Sequence, residues 1–182
     1  MKKKLILAGI IVLSLVLLLS GCTENNDDGN GDSSEPKTVT MNAQEYGEDM
    51  DIQMSQTSMT QSFKSLNDGD TLIFQDSISS ISYDDTTDST TVNFEYSQDA
   101  DNGGTQTSTA SFLFEGNLTA DYSVGDEVKI TVKIKHVTVT IQGMTIDMEI
   151  YEEYWESEQY FTDNYMTGNP YKPLSSDKIT KV

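Results

Sequence analysis

"EVKITVKIKHVTVTIQGMTIDMEI", residues Glu127 to Ile150, decides the fold. Val128, Ile130, Val132 and Ile134 share one parity, and Lys129, Thr131, Lys133 and Lys135 share the other. Successive side chains of a β-strand point to opposite faces, so this is a strand with one buried face. At His136 the parity changes, and Val137, Val139 and Ile141 become the apolar set. A one-residue shift moves a strand's apolar side chains to the other face, so a bulge or sharp bend is expected at His136. Gln142-Gly143 reads as a tight turn. Met144, Ile146, Met148 and Ile150 then form the next strand, with Thr145, Asp147 and Glu149 opposite.

The same period extends upstream. In "TLIFQDSISSISY" (Thr71 to Tyr83), Leu72, Phe74 and Ile78 lie on one parity, Ile81 and Tyr83 on the other. A bulge or bend is expected near Ser79-Ser80. Val92, Phe94 and Tyr96 alternate in "TVNFEY", and Phe112, Phe114 and Leu118 mark a further strand. "SQDADNGGTQTSTA" between them carries the Asx and Gly residues of a hairpin loop. Asp99, Asp101 and Asn102 are read as part of that loop rather than as cation ligands. Residues 38–65 predict a short helical or irregular segment packed on the barrel. Met41, Met50, Met54 and Met59 there are spaced as gap-fillers. Residues 156–182 read as an extension whose end, from 168, is a poorly ordered tail.

Five strands, two of them bent, with no convincing internal helix, predict a mainly β domain built as a small barrel over residues 66–155. "GDTLIFQDSISSISYD" and the Gly-Asp-x-Val start of "YSVGDEVKITVKI" resemble an OB-fold, as seen in extracytoplasmic OB-like domains. The resemblance implies a five-stranded OB-like barrel. A β-sandwich is the alternative architecture. Nucleic-acid OB-folds present basic and aromatic binding faces. This chain has no arginine, so nucleic-acid binding is not carried over.

The first residues have a different character. Lys2, Lys3 and Lys4 precede Leu5 to Leu19, which is apolar except for Gly9 and Ser14. That run is shorter than the roughly 20 residues a spanning helix needs, and reads as a signal-peptide core within residues 1–21. It ends in Leu19-Ser20-Gly21-Cys22, which resembles the lipobox of prokaryotic lipoproteins. The resemblance implies cleavage before Cys22, a lipid on its sulfur and a place on the outer side of a cell membrane. Cys22 is the only cysteine, so no disulfide supports the fold. Residues 22–37, rich in Asn, Asp, Gly and Ser, read as a flexible acidic tether. Asp28, Asn30 and Asp32 alternate like a calcium loop, but Ser33 and Val39 stand where such a loop needs Gly and Glu.

Formal net charge is −19, and removal of the three N-terminal lysines takes it to −22. Such a surface repels phosphate backbones. Catalytic machinery is not visible: there is one histidine, no free cysteine after lipidation, and no nucleophile motif. Neither a cofactor nor a metal is called for. The expected activity is a non-enzymatic binding module with an envelope protein or glycan as ligand. A glycan hydrolase with paired carboxylates and an acidic structural coat are the rivals. Tyr151, Tyr154, Trp155, Tyr160 and Phe161 are the candidate ligand-binding rings, since aromatics beside carboxylates stack on sugars; capping of an open barrel end is their commoner role. Asn117-Leu118-Thr119 fits a glycosylation sequon. Lys129, Lys133 and Lys135 are expected to pair with carboxylates on the following strand.

Overall fold

A computed structural model describes residues 35–99 and 104–182. The signal segment, Cys22, most of the tether and Asp101-Asn102 lie outside the described residues. The chain forms β1 (Thr38–Met41), α1 (Ala43–Asp49), β2 (Met50–Met54), β3 (Ser58–Phe63), β4 (Thr71–Ser77), β5 (Ser80–Asp84), β6 (Ser89–Asp99) and β7 (Thr105–Glu115). β8 (Glu127–Ile141), β9 (Met144–Tyr151), α2 (Glu158–Tyr165) and β10 (Ile179–Lys181) follow. The fold is mainly β. One curled, half-barrel sheet has the order β1-β4-β8-β9-β3-β2, with β10 also on β8, and a second sheet is β5-β6-β7. Among the described residues ten strands therefore stand where five were expected. The extra ones come from the two terminal segments and from the division of the Thr71–Tyr83 stretch.

That division explains the first parity change. β4 pairs with β8, and β5 pairs with β6 in the other sheet. Ile78, buried between them, donates its N–H to Asp126 O, and Ser79 N–H donates to Asn93 O. The chain crosses from one sheet to the other at this point. Leu72 and Phe74 enter the core from one side; Val92, Phe94, Phe112 and Phe114 enter from the other. Phe74 lies 4.7 Å from Phe94 and 4.8 Å from Phe112, ring centre to ring centre. Such pairs add about 0.5–1.5 kcal/mol beyond the area they bury.

The second parity change has another cause, and no bulge in β8 is involved. β8 pairs with β4 over Glu127–Lys133 and with β9 over Ile134–Ile141, and neither ladder skips a residue. Ile134 opposes Tyr151, and both belong to the core between the sheets. Val137 opposes Met148 and Val139 opposes Ile146, and these four belong to a second core on the other face. β8 is thus one regular strand buried first on one face, then on the other. The two-against-one step sits in its neighbour: Gly69 N–H donates to Ile134 O, while Asp70 O accepts from Ile134 N. Gly69 has φ +87°, a left-handed conformation that glycine adopts without strain.

The second core is closed by α2, whose Phe161 is buried among Val137, Val139, Ile146 and Met148, with Trp155, Tyr165 and Tyr171 around it. Ser157 caps this helix by accepting from Tyr160 N–H. α1 begins at a reciprocal cap: Asn42 Oδ1 accepts from Glu45 N–H, and Glu45 Oε2 accepts from Asn42 N–H, both at 2.9 Å. The C-terminal residues are part of the sheet rather than a loose tail. Leu174 and Ile179 are buried, and Ile179 opposes Ile130 on β8. Tyr122 Oη donates to Ile179 O at 3.0 Å, and the Lys181 ammonium lies 5.6 Å from the Tyr122 ring centre.

Candidate functional site

Lys129, Lys133 and Lys135 are free of carboxylate partners among the described residues. The register gives the reason: His136 opposes Glu149 and Thr138 opposes Asp147, so the β9 carboxylates lie on the face away from the lysines. The expected cross-strand pairing is made by the histidine instead. His136 Nε2 lies 2.9 Å from Asp147 Oδ1, which also accepts from Thr138 Oγ1 at 2.7 Å. His136 N–H donates to Asp68 Oδ1 at 2.7 Å. Glu149 Oε2 accepts from Phe63 N–H at 2.6 Å; burial nevertheless raises its carboxyl above the ordinary range. These bonds tie β8 to β9 and to Asp68, and β9 to β3.

The candidate aromatics divide between the two cores. Tyr151 is 5 % exposed and stacks on Phe112 at 5.4 Å with the planes 4° apart. Phe161 is 2 % exposed and touches the Trp155, Tyr165 and Tyr171 rings. Neither offers a free face to a ligand. Tyr154 packs between Tyr151 and Tyr171, and its hydroxyl accepts from Leu113 N–H at 2.8 Å. Trp155 and Tyr160 are half-buried. Burial raises the Tyr46, Tyr151 and Tyr154 phenols well above their ordinary value, and pushes Tyr171 up to about 12. These rings join the two cores into one packed column. Asn117 is exposed, and its Oδ1 accepts from both N–H and Oγ1 of Thr119.

Two depressions are lined mainly by polar groups. One of about 820 Å³ lies among Gln44, Gly47, Glu48, Met50, Lys64 and Ser97. One of about 300 Å³ lies among Asp68, Lys133, Lys135 and Glu152. Among the described residues no cluster of three His, Cys, Asp or Glu is placed to hold a metal, and no helix is long and apolar enough to cross a membrane.

The candidate site that remains is β2, at the end of the larger sheet. Among the described residues it pairs only with β3. Lys64 N–H donates to Asp49 O, and Ser55 N–H donates to Ser58 O. Bonded and non-bonded pairs alternate along an antiparallel ladder. The pairs Asp51–Ser62 and Gln53–Thr60 therefore take the bonded positions, and the N–H and C=O groups of Ile52 and Met54 point outward. Their side chains are also exposed, by 46 % and 51 %. This edge was hidden in the sequence, although "MDIQM" alternates apolar and polar residues with period two.

No protein-family model matches the chain, and no curated protein or solved structure matches it either.

Proposed function

We propose that this protein is a non-enzymatic interaction module, held on the outer side of a cell membrane by lipid on Cys22, that takes its partner on the β2 edge. The observation that carries the reading is the open edge itself. A strand that ends a sheet offers a template for an added strand, and natural proteins usually blunt such edges with charge, proline or a bulge. β2 instead leaves Ile52 and Met54 uncovered among the described residues. The β5 edge differs: β5, which among the described residues pairs only with β6, exposes Ser80, Ser82 and Asp84. Support for the anchor lies in the order of elements before Cys22: basic, apolar, small, cysteine. Two acyl chains or more would hold the protein stably, whereas one holds it marginally. The partner is an envelope protein, since an added strand is what this edge can take; of the candidate sugar-stacking rings, Tyr151 and Phe161 are enclosed and Trp155 and Tyr160 are half-buried.

The test places a photoreactive phenylalanine analogue at position 53 of the full chain in cells, and another at position 82 on β5. A cross-linked adduct is expected at 53, lost when Met54→Pro is added. No adduct at 53, or one that survives Met54→Pro, overturns the edge reading. Cys22→Ala is expected to release the protein from the membrane fraction; retention there defeats the anchor.

A further inference from the structure

We infer that the segment taken by β2 is an extended stretch of another protein carrying lysine or arginine beside apolar side chains. The inference rests on the edge reading above and adds the chemistry of the partner. Three observations select that chemistry.

The first is backbone valency. Ile52 and Met54 each turn an N–H and a C=O outward, so an incoming strand can make hydrogen bonds at both residues. A globular surface without an extended segment cannot meet alternate backbone groups in this way.

The second is side-chain character. Met50, Ile52 and Met54 share one side of the pleat, and the last two are the large apolar side chains exposed on a strand edge. Adjacent strands place side chains of matching positions about 4.5–5.5 Å apart. Apolar residues at every second position of the partner would cover both.

The third is charge. Glu45, Glu48, Asp49 and Asp51 lie on α1 and β2. Lys64, which opposes Asp49 across the start of the hairpin, has its ammonium on Glu48 O at 2.5 Å. Asp49 Oδ2 accepts from Ser65 N–H and Asp51 Oδ2 accepts from Gln53 Nε2. No ion pair neutralises Glu48 or Asp51 among the described residues. A cationic strand laid along this edge meets carboxylates at its end. A second copy would bring another chain of formal charge −19 to this acidic edge, and such like charge opposes association.

The test uses the full chain in neutral detergent and three labelled, capped hexapeptides, read by fluorescence anisotropy. One alternates lysine and valine, one alternates glutamate and valine, and the third is the lysine peptide with its backbone N-methylated. The lysine peptide is expected to bind roughly tenfold or more tightly than the glutamate peptide, and to weaken as salt is raised. Asp51→Asn with Glu48→Gln is expected to weaken it about fivefold, within the range of exposed ion pairs. Ile52→Pro removes one outward N–H while leaving the hairpin bonds at 51 and 53, and is expected to abolish binding. Circular dichroism checks that this variant is folded, and Met54→Pro replaces it if it is not. Equal binding of the N-methylated peptide overturns the inference, since charge alone would then suffice. Equal affinity for the glutamate peptide overturns it too, while an adduct at position 53 would leave the edge reading standing. A dimer in sedimentation that Ile52→Pro dissolves assigns the edge to a second copy and overturns it.

Discussion

Tyr151 donates a hydrogen bond of 2.9 Å to the hydroxyl of Tyr46, joining residues 105 apart in sequence where the curled sheet meets α1. The Tyr151 ring is stacked on Phe112 and the Tyr46 ring lies edge-on to Phe74, so both hydroxyls are delivered by packed rings. Tyr151→Phe removes the donor and leaves the Tyr46 hydroxyl inside the fold without its partner. Expected destabilisation is about 1–3 kcal/mol in urea unfolding. Adding Tyr46→Phe is expected to cost less than the sum of the two single changes. Strict additivity would show that the bond contributes nothing.

High pH should unfold the protein through the same rings. Tyrosine in an unfolded chain loses its proton near pH 10. Burial pushes Tyr171 up to about 12, and raises Tyr46, Tyr151 and Tyr154 well above their ordinary value too. Because the folded values are raised, their contribution is complete below pH 10 and is lost as pH rises through the folded values, about 12 for Tyr171. Tyrosinate absorbance of these residues and loss of circular dichroism should appear in one transition. Ionisation of all nine tyrosines near pH 10 with the fold intact would contradict this.

Asp70 behaves in the opposite sense. Desolvation of this carboxylate disfavours its charge, but the amides of Lys37 and Asn67, at 2.8 and 2.9 Å, and the Lys37 ammonium outweigh it and hold its pKa below the usual 3.8. Its contribution is therefore present above pH 3.8 and is lost as pH falls through the lower folded value. Asp70→Asn keeps one acceptor and faces the other amide with a donor. A cost of about 1–3 kcal/mol is expected at pH 7, and the difference from the parent should shrink in acid. A difference independent of pH would sink the assignment.

Gly47 sits in α1 against Tyr96 of β6, and a Cβ at this position would fall inside the Tyr96 ring. Alanine normally favours a helix over glycine. Here Gly47→Ala is expected to destabilise by about 1–3 kcal/mol, because the ring must move. A second change, Tyr96→Ala, should remove the penalty specific to Gly47→Ala. Stabilisation by Gly47→Ala alone would mean that helix propensity wins.

The strands of the middle of the chain could be read from the sequence because their side chains alternate against a buried face. Val128 to Ile134 and Met144 to Ile150 are of this kind. What alternation cannot tell is why a parity changes. At Ser79 the chain changes sheets, and at His136 one strand changes the face it buries; the sequence pattern is the same. The rings from Tyr151 to Phe161 were legible as aromatic, but their enclosure depends on α2 and on Leu174, which arrive from the C-terminal segment. Ile179, a lone apolar residue among polar ones, has no local signal and is placed by Ile130 across the ladder. The β2 edge is not legible in the sequence because its alternation spans only five residues directly after a helix.

The parallel pairing of β3 with β9 has a kinetic consequence. Phe63 N–H reaches the Glu149 carboxylate across 86 residues, and beside it Ser58 to Gln61 pair with Thr145 to Met148. Closing so long a loop is entropically costly, so such pairings form slowly. The β2–β3 hairpin can form early by itself, but it has nowhere to dock until β8 and β9 are in place. Until then both of its edges are open to any other strand. The segment that carries the open edge of the fold is thus also a place where a misfolding chain can be captured by its neighbour.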